Sequence, residues 1–113
     1  MIPAPCLAEV VDRVIRTHGV DPAALSERLG ALVDEVLSVP STDQRIAWRA
    51  GELHAAHYHR KNSALSLVDC QLLATAEPDD EIVTSDSAVI ATARKLNLGV
   101  IPILDSQGRM PEP

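Results

Sequence analysis

Three acids, Glu9, Asp69 and Asp86, are the residues whose surroundings pose a chemical question. Asp69 lies in the run Ser66-Leu67-Val68-Asp69-Cys70-Gln71-Leu72-Leu73-Ala74. At about 100° per residue its apolar neighbours cover nearly the whole circumference of a helix, and a helix apolar all round is buried. A carboxylate projecting between Leu72 and Leu73 is therefore partly sheltered, and needs hydrogen-bond donors, a cation or a proton. The same spacing makes Asp69 the third helical residue after Ser66, the partner in a capping box. The two roles are compatible, because a carboxylate has two oxygens. Asp86 follows Ile82-Val83-Thr84 and precedes a helical stretch. Ligands gather at the carboxyl ends of strands in open parallel sheets, and Asp is equally a preferred helix N-cap. Thr84 and Ser85 add hydroxyls able to orient a carboxylate or a bound water. Glu9 lies roughly opposite an apolar stripe, where a solvated acid is the default, in a first helical turn that favours negative charge.

Two further groups carry polar chemistry. His54, His57 and His59 lie close in sequence, the first two as i, i+3 neighbours on a helix. No acid or cysteine in the right pattern completes a zinc set there. Arg45, Arg49, Arg60 and Lys61 are opposed over their stretch only by Glu52. They form a modest basic edge able to meet phosphates, or an ordinary solvated helix face.

These residues must be placed by α/β elements. Leu7, Val10, Val11, Val14 and Ile15 form one stripe and predict a helix over 5–18, with Pro5 in its first turn and Gly19 just past its end. Asp21 and Pro22 open a second helix over 22–34. Val36-Leu37-Ser38-Val39 reads as a short strand ending at Pro40. Ser41-Thr42-Asp43-Gln44 resembles a capping box opening a third helix to about His57, with Ile46, Ala50 and Leu53 inward. Residues 58–65 form a polar loop. A fourth helix runs from the Ser66 box through Ala76 to a turn at Pro78-Asp79-Asp80. Strand 82–84, a helix over 87–96 ended by Asn97 and Gly99, and strand 100–103 follow. Helices alternating with short strands predict an α/β fold with a mainly parallel sheet. One domain is expected over 1–105, with a loose tail at 106–113.

The 113 residues are 46% apolar but only 2% aromatic, so the core must be built from Ala, Val, Leu and Ile. Such a composition excludes intrinsic disorder and a disulfide-stapled miniprotein. No apolar run approaches the ~20 residues of a membrane span, and the segment after Met1 lacks the basic region of a secretory signal. The net charge of −6 argues against a broad, sequence-blind grip on nucleic acid, yet leaves room for a nuclease whose acidic site holds a metal. Cys6 and Cys70 read as reduced thiols of a cytoplasmic protein.

The order of motifs resembles a known family. Pro3-Ala4-Pro5-Cys6-Leu7-Ala8-Glu9-Val10 is similar to the helix start that carries an acid in PIN-domain ribonucleases. Ser66-Leu67-Val68-Asp69 with Leu72-Leu73-Ala74-Thr75-Ala76 resembles that family's "S-L-x-D … L-x-A-T-A" helix, and Ile82-Val83-Thr84-Ser85-Asp86 its "I-V-T-S-D" strand end. The likeness runs over residues 2–104, and its specificity lies in the order and spacing of the three motifs. Size and style are nearest the toxin half of VapBC-type toxin–antitoxin pairs. The resemblance implies a PIN-like, mainly parallel sheet flanked by helices. It implies a Mg²⁺- or Mn²⁺-dependent endoribonuclease, with Glu9, Asp69 and Asp86 as metal-binding catalytic acids. Thr84 and Ser85 would support them, and Arg45, Arg49, Arg60 and Lys61 would face RNA. A cognate antitoxin and a second copy of the chain would be its partners, with no membrane involved. The family's first acid stands on an N-terminal strand, in a pattern like "D-x-S-A", that precedes the residue matching Ile2. The resemblance therefore implies an N-terminally truncated domain, with strand remnants at 1–3, 36–39, 82–84 and 100–103. A truncated sheet would leave apolar surface exposed on helix 5–18 and along strand 82–84. The alternatives are a catalytically inert PIN-like binding or scaffold domain that pairs with an antitoxin-like partner, and a non-nuclease α/β fold in which the three acids are only caps.

Overall fold

The structure, a computed structural model, describes residues 1–35 and 38–111. It is a mixed α/β chain of five helices and one two-stranded parallel sheet among those residues, dividing into two compact units, Met1–Asp43 and Gln44–Pro113.

The first unit holds α1 (Ala4–His18) and α2 (Pro22–Glu35). Pro3 caps the start of α1, and Gly19, at φ 63°, ends it in the left-handed conformation while its N–H bonds Ile15 O. The Asp21 carboxylate accepts from the Ala24 N–H at 3.1 Å and caps α2. Neither helix has a buried residue among those described. Their facing stripes, Leu7, Val11 and Ile15 against Leu25, Leu29 and Val33, line an apolar groove. Residues 1–3 are not a strand. The Ile2 and Ala4 N–H groups reach Ser38 O at 2.9 Å and Pro40 O at 3.2 Å, alternating as in a parallel ladder. Among the described residues these bonds run in one direction only, so no reciprocal bridge forms. In the expected strand over 36–39, Val36 and Leu37 lie outside the described residues, and Ser38 and Val39 are not strand.

The second unit carries α3 (Gln44–His57), α4 (Leu67–Thr75), β1 (Glu81–Thr84), α5 (Ser87–Lys95) and β2 (Gly99–Pro102). The inward face of α3 is Ile46, Ala50 and Leu53, as its periodicity requires. The helix starts at Gln44, two residues later than a Ser41 cap would place it. Strand β1 pairs in parallel with β2, Ile82 opposite Val100 and Val83 opposite Ile101. The Ile103 N–H extends the pairing to Thr84 O. One face of this pair is covered: Ile82 is buried, and Val100 packs against the same core. The other face is open, with Val83 57% and Ile101 44% exposed.

Helix α5 connects the strands and buries Val89, Ile90, Thr92 and Ala93. The Thr92 hydroxyl donates to Ala88 O at 2.8 Å, so this buried polar group is satisfied. Beyond Lys95 the chain closes a Schellman motif. Asn97 adopts φ 58°, its N–H bonds Arg94 O, and the Leu98 N–H reaches back to Ala93 O. Gly99 then has a steric reason to be glycine, because a Cβ there would meet Asp80 O at 2.9 Å.

The core joins Ala50 and Leu53 of α3, Leu65 of the loop that follows it, Cys70 and Leu73 of α4, Ile82 of β1, and Val89 and Ala93 of α5. Aliphatic residues and one thiol fill it, while Trp48 and Tyr58 are exposed. Leu65, 1% exposed, anchors the loop that sequence reads only as polar. The segment after β2 turns back on itself at Asp105. Its Oδ1 accepts the Gln107 and Arg109 N–H groups, and its own N–H bonds Arg109 O. No helix among the described residues is long and apolar enough to cross a membrane.

Candidate functional site

Asp69 sits where two local rules meet. Ser66, at φ −84° and ψ 165°, is the N-cap of α4. Its hydroxyl accepts the Asp69 N–H at 3.0 Å, and Asp69 Oδ2 accepts the Ser66 N–H at 2.8 Å. The capping box is therefore complete, and it fixes the side chain of Asp69 at the head of the helix. Asp69 is half-buried, whereas Leu67, one place after the cap, is 55% exposed. The all-round burial expected of this helix therefore fails at its first residue, which no other element covers. Next to Asp69, the Cys70 thiol is fully enclosed. Burial pushes that thiol's pKa up, and the Asp69 charge adds to the effect.

Asp86 occupies the junction between β1 and α5. Its Oδ1 accepts the Ala88 N–H at 2.8 Å and the Val89 N–H at 3.1 Å, so it is the N-cap of α5. The Asp86 N–H in turn donates to Thr84 Oγ1 at 3.1 Å. The last residue of the strand thus sets the backbone from which the acid projects. Ser85 is half-buried between them.

A common arrangement follows for the two aspartates, both in the second unit. Each stands at a helix N-terminus, and each commits one oxygen to backbone amides. Among the described residues, no hydrogen bond goes to Asp69 Oδ1 or Asp86 Oδ2. Glu9 belongs to the first unit. It is exposed on α1, beside a shallow depression lined by Cys6, Val10, Asp12, Arg13 and Arg16. In that depression Asp12 pairs with Arg16 at 3.0 Å, and the guanidinium holds the Asp12 carboxyl below its ordinary range. Among the described residues, no three His, Cys, Asp or Glu side chains are grouped so as to hold one metal ion.

The basic residues divide between two places. Arg45 and Arg49 are exposed on α3, and Arg60 and Lys61 are exposed in the following loop. None of the four takes part in an ion pair among the described residues. The loop is a tight turn closed by reciprocal backbone bonds between His59 and Ser63, at 2.8 and 2.9 Å. His59 Nδ1 accepts the N–H groups of Lys61 and Asn62, so this histidine organises the turn that presents Arg60 and Lys61. His54 stacks on Tyr58 with ring centroids 4.7 Å apart.

One feature that sequence reasoning passed over is Trp48, which is 72% exposed. The signal was present: with Ile46, Ala50 and Leu53 inward, a residue two places after Ile46 points away from the core. Compared with protein-family models, curated proteins and solved structures, the chain shows no match.

Proposed function

We propose that the chain is a PIN-type, Mg²⁺- or Mn²⁺-dependent endoribonuclease domain of the kind that serves as the toxin of a toxin–antitoxin pair. On this reading it acts in the cytoplasm on RNA, is held in check by a cognate antitoxin protein, and pairs with a second copy of itself. The observation that carries the reading is the shared arrangement of Asp69 and Asp86. Each carboxylate is fixed by a helix-capping bond through one oxygen and, among the described residues, keeps its other oxygen outside any hydrogen bond.

The donor set suits the ion. Carboxylate and hydroxyl oxygens are hard ligands, and Mg²⁺ is commonly held by one or two carboxylates together with water and substrate phosphate. Asp69 and Asp86 would hold it. When bound, the metal would lower the pKa of a coordinated water and offset negative charge developing on the phosphoryl oxygens. The chain's own residues do the rest. The Ser66 box and the α5 cap fix both carboxylates before substrate arrives. Thr84 and Ser85 set the approach to Asp86. Arg45, Arg49, Arg60 and Lys61 attract the phosphate backbone.

The test is cleavage of single-stranded RNA with Mn²⁺ or Mg²⁺ and with EDTA, alongside calorimetric titration with Mn²⁺. The expected result is metal-dependent cleavage that Asp69→Asn and Asp86→Asn reduce to the EDTA background, with Mn²⁺ binding lost in both variants. Mn²⁺ binding unchanged in both, without cleavage by the parent chain, would leave the acids as caps. The chain would then be an inert PIN-like binding domain.

A further inference from the structure

We infer that Trp48 is a stacking platform for an unpaired base of single-stranded RNA, with Arg45 and Arg49 taking the flanking phosphates. The inference rests on RNA being the ligand of the proposed function, and it places a contact on the outer face of α3. Three observations carry it. Trp48 is 72% exposed, the most exposed of the large hydrophobic side chains among the described residues, on a helix whose opposite face is packed. A ring that size left in water forgoes a large burial gain, which a stacking ligand would supply.

The exposed residues beside it along α3 leave room for a flat ligand and form no run of large apolar side chains for a protein. They are Ala47 and Gly51, with open space where a Cβ would stand on Gly51, and then Gln44, Arg45, Arg49 and Glu52. A protein-docking face needs contiguous apolar neighbours, whereas a base needs one ring and nearby cations. The charges fit the latter. Arg45 lies one turn before Trp48 and Arg49 directly after it, both exposed and outside any ion pair among the described residues. Glu52, one turn after the ring, is the single acid on this helix, and it opposes phosphate binding.

The chain has one tryptophan, so its fluorescence reports this position alone. Short oligouridylate is titrated into the protein in EDTA, where no metal-dependent cleavage can occur, and emission is followed. Stacking quenches Trp48, and an abasic ribose–phosphate oligomer or the matching RNA duplex does not. Removing one base–aromatic stack weakens affinity roughly 5- to 150-fold, so Trp48→Ala binds that much more weakly while Trp48→Phe recovers most of the loss. Each phosphate contact on a single strand adds about −0.7 to the salt slope, so Arg45→Gln or Arg49→Gln each reduces its magnitude by about 0.7. Glu52→Gln tightens binding.

Quenching by the abasic oligomer equal to that by oligouridylate, or unchanged affinity in Trp48→Ala, overturns the inference. So does emission that ignores RNA and shifts only on dilution, which would assign Trp48 to a protein contact. Binding with these signatures in a chain that never cleaves refutes the nuclease reading and leaves the platform standing. Metal-dependent cleavage with unchanged kinetics in Trp48→Ala does the reverse.

Discussion

Asp86 is the residue at which a cap and a catalytic acid can be separated. Its Oδ1 receives two amides, those of Ala88 and Val89, and Val89 is buried. In Asp86→Ala both N–H groups lose their acceptor; the Ala88 bond is open to water and the Val89 bond is part-buried. The cost lies within the N-cap range, about 1–2 kcal/mol. For a chain of this size that lowers the melting temperature by roughly 4–8 °C. Asp86→Asn keeps an oxygen acceptor in the same place and loses only the attraction of a negative charge to the helix N-terminus, about 0.3–1 kcal/mol. The assay pairs thermal unfolding by circular dichroism with RNA cleavage in Mn²⁺. The expected pattern is a small stability loss with abolished cleavage for Asn, and a larger loss with abolished cleavage for Ala. If Asn destabilises as much as Ala, the cap depends on charge rather than on the acceptor, and the hydrogen-bond argument fails. If Asn retains cleavage, Asp86 does not act on the reaction through its charge.

Gly99→Ala forces a methyl to within 2.9 Å of Asp80 O and should cost about 1–3 kcal/mol, whereas Gly51→Ala enters open space on α3 and should raise the melting temperature; equal shifts would refute the steric reading. Burial raises the Cys70 pKa and hides its sulfur, so Cys6→Ser protein should give no reaction with a thiol reagent at mildly alkaline pH until unfolded, and prompt labelling would show the core to be open. The bond from the Arg109 N–H, then that from Gln107 and the nearby Arg109 guanidinium, lowers the Asp105 pKa. The turn is accordingly stabilised above the ordinary carboxylate range and loosens as pH falls through the lowered value. The protection of the Gln107 and Arg109 amides, taken relative to the intrinsic exchange rate at each pH, should therefore fall in acid, and the same profile in Asp105→Asn would disprove the linkage.

The parts of the fold legible in the sequence are those fixed by neighbours along the chain. Ser66 and Asp69 make the capping box their spacing announces, Asp86 caps the helix it precedes, and Asn97 closes α5 in the left-handed conformation. The inward set Ile46, Ala50 and Leu53 followed from a period of 3.6. Leu65 was not legible, because it stands alone in a polar loop where periodicity offers no phase. The strand remnant at 1–3, which the resemblance implied and no local pattern announced, is not a strand. Two of the candidate acids, Asp69 and Asp86, could be located to helix starts from spacing. Which of their oxygens stays outside the capping bonds is a matter of side-chain rotation, on which spacing is silent.

The packing pattern of the second unit has a kinetic consequence. Helix α3 packs on α4, α4 on α5, and α5 on both strands, so partners are near neighbours along the chain. Parallel strand pairing is ordinarily slow because a long loop must close before any contact rewards it. Here most of the connection between β1 and β2 is α5, a helix that shortens the distance to be searched once it forms. This unit should therefore refold at the fast end of the range for α/β domains despite its parallel sheet.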